Sequence, residues 1–195
     1  MILGKKEERR QEILDHALKL FVEKGYHQTR TSEITNSVGI GKGTLFNYFN
    51  TKEDLINELY TQVKEEVYSI LISEKAPEEH IYNFIKRNWM NFISWGINNY
   101  NKIRFIMQME DSPLISEEMK SKIELQDAKY AALYQEGITQ GFLKDIPLIL
   151  GLTLYYQAML TTIHYIVNSE PTATEVEQLE ISMKAFNNYL YGVRK

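Results

Sequence analysis

Apolar residues recur at three- and four-residue intervals along almost the whole of this 195-residue chain, and that period belongs to helices packed on helices. Ile13, Leu14, Ala17, Leu18, Leu20 and Phe21 form a first stripe, ended by Gly25. Ile34 and Val38 mark a short second helix, and Leu45, Tyr48 and Phe49 a short third. Thr51 opens a fourth, with Asp54 three residues on, close to a capping-box arrangement. Its apolar face continues from Leu55 to Leu71. Pro77, Pro113, Pro147 and Pro171 each precede a helical pattern and interrupt none, as expected of a residue that fits only a helix's first turn. The segments between them predict helices over roughly 77–98, 101–109, 114–140, 146–168 and 173–192. No alternating strand pattern, internal repeat or low-complexity tract stands out. The expected class is all-α, with about nine helices.

Composition narrows the function. The apolar share of 44% and charged share of 25% are those of a folded globular chain rather than a disordered one. There is no cysteine, so disulfides and thiolate metal sites are excluded. The start, MILGKKEERRQE, lacks the apolar centre of a signal peptide, and the expected location is cytoplasmic. Residues 146–167 carry no Asp, Glu, Lys or Arg and are long enough on paper to span a bilayer. Thr153, Gln157, Thr161, Thr162 and His164 recur within them without a flanking Lys/Arg cluster, so a mostly buried helix is the better reading and no membrane partner is expected.

The net charge of −4 gives no general attraction to nucleic acid, and its distribution only permits one. Residues 1–54 hold nine Lys/Arg against eight Asp/Glu, and the remainder is net −5. The pattern argues more strongly than the charge. Two short helices around a tight glycine turn, docked on a longer first helix, are what placing a helix in a major groove requires. Gly39 stands at that turn, where positive φ is easiest for glycine. Gly41 stands at the N-cap of the third helix, whose start carries Lys42 and Gly43. The glycine cluster around Lys42 is no phosphate loop: Asn36 and Gly43 occupy the places of its required glycine and hydroxyl.

The run from Ala17 to Leu55, ALKLFVEKGYHQTRTSEITNSVGIGKGTLFNYFNTKEDL, resembles the N-terminal domain of TetR-family transcriptional regulators. The shared features are the LF-x-x-KGY end of helix 1, the Ile34 and Gly39 spacing, KGTL-x-x-YF and the following T-K-E-D-L. Over the other 140 or so residues only the helical layout is compatible. The resemblance implies a helix-turn-helix domain over 1–54 and an effector-binding and dimerisation domain over 55–195. It implies Thr44 and Asn47 as base readers, Lys42 at a base edge or phosphate, and Gly43 beside them allowing close approach. Tyr48, Thr31 and Lys52 would hold phosphates, with Arg30 as a further charge contact. Tyr48 also fits a core position. Lys5, Lys6, Arg9 and Arg10 suit either an N-terminal arm on DNA or a solvated helix face, since Glu7, Glu8 and Glu12 interleave them. Gly41, Phe46, Thr35 and Arg30 depart from the family's common residues. Phe46 stands where tyrosine is frequent and lacks its hydroxyl.

In the C-terminal part, polar residues inside apolar stripes suggest a ligand pocket. The expected contacts are Asn88, Trp89, Phe92, Tyr130, Tyr134, Tyr156, Gln157 and His164, and a plain core is the alternative for each aromatic. By analogy with the family the effector is small and largely apolar or aromatic. Val176, Leu179, Met183, Phe186 and Leu190 alternate by three and four, the seam of a helix pairing with another. A homodimer is expected, because recognition of a palindromic double-stranded operator needs two-fold symmetry. The four histidines are scattered and no catalytic signature occurs, so no enzyme, metal or cofactor is expected. The function expected is a DNA-binding repressor released by its effector. The alternatives are a constitutive DNA-binding protein without effector and, least favoured, a helical enzyme.

Overall fold

The computed structural model describes residues 4–76, 78–109 and 112–194, with the side chains of Ile123, Gln126, Asp127 and Tyr130 outside that description. Pro77 also lies outside it. The described residues form nine α-helices: α1 Lys5–Lys24, α2 Thr31–Val38, α3 Lys42–Phe46, α4 Lys52–Leu71, α5 Ile81–Asn98, α6 Tyr100–Met109, α7 Glu117–Thr139, α8 Leu148–Ser169 and α9 Glu175–Val193. These match the expected segments to within about four residues, the usual uncertainty of helix ends. The extended pairing found among the described residues is the single bridge between Leu143 and Arg194. None of the described helices is long and apolar enough to cross a membrane.

Residues 1–64 and 101–120 form one compact unit, and residues 65–100 and 121–195 another. The first unit extends beyond the expected 1–54 because the start of α4 and most of α6 pack with α1. Phe105 of α6 is fully buried, stacked on Phe21 of α1 at 6.3 Å and edge-on to Tyr60 of α4 at 6.3 Å. Asn57 of α4 fastens the loop before α7 by donating to the Leu114 carbonyl and accepting from the Ser116 N–H, each at 2.9 Å. The first stripe read from the sequence forms this unit's centre: Ile13, Leu14, Ala17, Leu18 and Phe21 are buried, with Val22 beside them.

The unit's turns are set by local chemistry. Gly39 is left-handed, at φ 75° and ψ 36°, and its N–H returns to Thr35 and Asn36. The α2 start is held by Glu33, whose carboxylate accepts from the Arg30 N–H at 2.8 Å. Thr51 and Asp54 make the expected reciprocal cap on α4, at 2.9 and 3.1 Å.

In the second unit α5, α8 and α9 pack together. Trp89 sits at the centre with Phe92, Tyr155, Met159 and Phe186 buried around it. Burial on this scale, at about 1.5–3 kcal/mol per large apolar side chain, holds the three helices together. His80 caps α5 by accepting from the Tyr82 N–H at 3.1 Å, and Thr174 with Glu177 forms a full capping box on α9.

A Cβ added at Gly39 meets nothing within 4 Å, so Gly39→Ala isolates the cost of the left-handed backbone. We expect a loss of about 1–2 kcal/mol, measured by urea unfolding, with no change in helix content before the transition. An unchanged midpoint would show that the turn adapts.

Candidate functional site

The candidate DNA-reading element is α3, and its two faces are sharply different. Leu45 is 2% exposed and Phe49, just beyond the helix, 3%. Lys42, Gly43, Phe46 and Asn47 are exposed, while Thr44 and Tyr48 are half-buried on the flank. Gly41 is the N-cap in extended conformation, without a side-chain hydrogen bond, as its residue type anticipates. The expected contacts therefore separate. Lys42, Gly43 and Asn47 share the outer face, whereas Thr44 is turned toward its edge. Arg30 is exposed and Thr31 half-buried at the start of α2, beside one another but on a different helix.

Lys52 has a second engagement. Its ammonium donates to the Tyr26 carbonyl at 2.5 Å and lies 3.9 Å from the centre of the Tyr26 ring. Burial lowers its pKa, against the opposing pull of Glu53 and Glu33. The Tyr26 hydroxyl donates to Glu53 at 2.5 Å. Burial first, and then this carboxylate, push the phenol well above its usual range, so it stays a neutral donor. Lys24 and Glu33 pair at 2.5 Å, tying the end of α1 to α2. The Glu33 carboxyl is held low by the Arg30 N–H and then by Lys24.

Arg10, read from the sequence as part of an N-terminal arm or of a solvated helix face, takes neither place in the structure. Among the basic residues near the start of the chain, Lys5, Lys6 and Arg9 lie exposed along α1, and Arg9 pairs with Glu12 at 2.7 Å. Arg10 points inward. Its guanidinium donates to the Tyr48 carbonyl at 2.9 Å, pairs in two-pronged fashion with Glu58 of α4, and lies 4.5 Å from the centre of the Phe49 ring. Hydrogen bonding to Glu58 raises its pKa further. One side chain of α1 thus grips the carbonyl just after α3 and the side of α4. Spacing alone offered a weak signal, since Arg10 lies three residues before the buried Ile13 and four before Leu14.

The expected effector contacts whose side chains are described take up separate positions in the second unit. Asn88 is fully buried and satisfied: its amide donates to the Leu71 carbonyl at 3.0 Å and its carbonyl accepts from Ser73 at 2.8 Å. The Trp89 indole donates to the Ser182 carbonyl at 3.2 Å, and Phe92 is fully buried. Tyr156 is half-buried, its ring 5.8 Å from that of Phe92. Tyr134 is buried, its hydroxyl 3.1 Å from that of Tyr189. Gln157 and His164, expected in the interior, are on the outer face of α8. His164 Nδ1 meets the Tyr100 hydroxyl at 2.7 Å, and Asn168 donates to that same hydroxyl at 2.7 Å. The helix is apolar on two faces, so hydropathy could not tell which one turns inward. Tyr130 lies outside the described residues.

Asn88 and Tyr134 line a small cavity with Phe84, Ile85, Leu133 and Tyr155 that holds about 20 Å³, room for about one water. A larger open groove of about 530 Å³ lies between Met90, Ile93 and Ile97 of α5 and Gln178 and Leu179 of α9.

The expected dimer seam also divides. Val176 and Leu179 are 65% and 54% exposed, and Met183 is half-buried. Phe186 and Leu190 are instead buried within their own protomer, Phe186 at 5.5 Å from Trp89 and 6.0 Å from Tyr82. The three-four spacing identifies a face, but α5 and α8 already cover its C-terminal half. Among the described residues no group of His, Asp and Glu is placed to hold a metal.

Residues 13–59 match the family model of bacterial regulatory proteins of the tetR family. A fatty acid metabolism regulator protein of Bacillus subtilis is 37% identical over 51 residues, 26% of each protein, so that match spans about a quarter of its length. The HTH-type transcriptional repressor KstR2 of Mycobacterium tuberculosis is 24% identical over 144 residues, covering 72% of this chain and 70% of that protein. A tetR-family transcription regulator from Shewanella, known by its crystal structure, superposes with a TM-score of 0.80 at 24% identity, covering 96% and 98% of the two chains. At that identity the superposition establishes the fold.

Arg10→Met keeps the stem over Phe49 and removes the charge and donors. We expect a stability loss of about 1–2 kcal/mol, below the full value of charged hydrogen bonds because the pair is partly exposed. Urea unfolding measures it. DNA affinity, read where the variant is still fully folded, should fall several-fold; wild-type affinity would mean that α3 is positioned without this grip.

Proposed function

Because the chain belongs to the TetR family of transcriptional regulators, we propose that residues 1–54 are its DNA-binding domain and that the protein is a repressor acting as a homodimer on a palindromic operator. The observation that carries the reading is the two-faced α3, with Leu45 and Phe49 sunk in the core and Lys42, Gly43 and Asn47 free to meet a groove. Lys42 reaches a base edge or phosphate, Asn47 and, from the flank of α3, Thr44 read bases, while Thr31, Tyr48, Arg30 and Lys52 contact the DNA backbone. For Lys52 this requires exchanging part of its hold on Tyr26 for a phosphate.

Dimerisation is supported by apolar side chains left outside on the last two helices. Leu150 and Leu154 of α8 and Val176 and Leu179 of α9 are each 45% exposed or more. This interface uses the outer face of α8, including Gln157, and the first turns of α9, in place of Phe186 and Leu190. Two half-sites in successive major grooves require the two recognition helices about 34–36 Å apart, one DNA turn.

The effector of this reading is small and largely apolar or aromatic, bound in the aromatic interior of residues 65–100 and 121–195. The name of the fatty acid metabolism regulator is in keeping with an apolar ligand. The cavity beside Asn88 and Tyr134 holds about 20 Å³, so an effector bound there selects an opened state, and only its preference for that state can release DNA. The small size of that cavity is in keeping with a second reading, a constitutive DNA-binding protein in the cytoplasm without effector.

Selection of bound duplexes from a random pool tests the first reading. A recovered palindrome, bound by the wild type and at least tenfold more weakly by Lys42→Ala, is the expected result; no enrichment would overturn it. A screen of apolar compounds by thermal shift decides between sensor and constitutive protein. A sensor gains several degrees with one compound and loses the recovered duplex at the same concentration.

A further inference from the structure

The outer face of α3 carries one large apolar side chain, Phe46, which is 39% exposed and has no role in the contacts assigned above. At 3.6 residues per turn, Lys42, Phe46, Gly43 and Asn47 follow one another around an arc of roughly 140°. Phe46 and Gly43 occupy the middle of that arc, with Lys42 and Asn47 at its edges. The inner face is taken by Leu45 and Phe49. On the same wheel the buried Leu45 stands on the far side, so the direction facing away from the core falls between Gly43 and Asn47, and Phe46 flanks it beside Gly43, a residue with no side chain to hold the bases away.

A phenyl ring donates and accepts no hydrogen bonds. Against a phosphate it offers nothing, and against the amino group of cytosine or the acceptors of guanine it covers polar atoms without replacing their water. One group in the major groove suits it, the 5-methyl of thymine, which is apolar and projects into the groove. We propose that Phe46 is a specificity-determining residue that reads a thymine methyl in each half-site. It selects thymine by burying the methyl and rejects cytosine by stranding its amino group. The proposal rests on α3 entering the major groove, and it assigns to the aromatic ring a task that the missing hydroxyl could not perform.

The test uses the full-length protein and the duplex recovered from the random pool. That duplex is resynthesised with each thymidine replaced, one at a time, by deoxyuridine, which removes the methyl and leaves every hydrogen-bonding group in place. For the wild type, Kd should rise about fourfold at one thymine in each half-site, the effect of unburying one methyl-sized group. Changing both sites together should cost about fifteenfold. Phe46→Ala should bind the thymidine duplex more weakly and be indifferent to deoxyuridine at those positions, while Phe46→Leu should keep part of the response.

Wild-type indifference to deoxyuridine at every position overturns the proposal, as does an unchanged deoxyuridine penalty in Phe46→Ala. If either occurs while Lys42→Ala still abolishes tight binding, the groove-reading role of α3 stands and only the assignment to Phe46 falls. If no duplex is enriched, both fall. If Phe46→Ala unfolds, Phe46→Leu decides: a reduced deoxyuridine penalty supports the proposal, and the full wild-type penalty overturns it.

Discussion

A helix of five residues has no stability of its own, because forming its first turn costs more conformational freedom than its few hydrogen bonds return. The helix proposed to read DNA here is that short, so its existence depends on what surrounds it. Leu45 and Phe49 anchor it from below. Gly39 turns the chain into it, the Thr51–Asp54 cap starts α4 immediately after it, and Arg10 holds the Tyr48 carbonyl at its end. The long first helix is the platform for all of this. Its apolar stripe supplies the floor, and its one inward-pointing arginine supplies the clasp.

The same arrangement explains why the charge of the N-terminal region is so uninformative. Several of its cations are engaged inside the protein: Arg10 with Glu58, Lys24 with Glu33, and Lys52 with the carbonyl and ring of Tyr26. Counting lysines and arginines overstates what is free to meet a polyanion. In the proposed reading, affinity depends on a few placed groups, and discrimination on the chemistry of the outer side of α3, which includes an apolar ring as well as Lys42 and Asn47.

In the second unit, several of the polar residues that interrupt apolar stripes have contacts within the protein itself. Asn88 and the Trp89 indole spend their hydrogen bonds on the backbone of neighbouring segments, which is the usual condition of buried polar groups. Gln157 and His164 interrupt α8 on its outer side. Leu150 and Leu154 leave that side apolar while α5 and α9 cover the other. That outer side is the surface proposed above for pairing with a second copy.

The sequence by itself determined the helical class, the order and approximate ends of the helices, the glycine turn at Gly39, the cap at Thr51 and the resemblance carried by residues 17–55. These are local matters, decided by a period, a φ angle or a side chain three residues away. Only the tertiary structure decided which way each apolar face turns. It sent Phe186 and Leu190 into their own core and left Val176 and Leu179 outside. It turned Arg10 inward and Phe46 outward, and it drew residues 101–120 into the N-terminal unit through Phe105. Each of those outcomes depends on contacts between residues far apart in the chain. A helical period records that a face is apolar but not which neighbour will cover it.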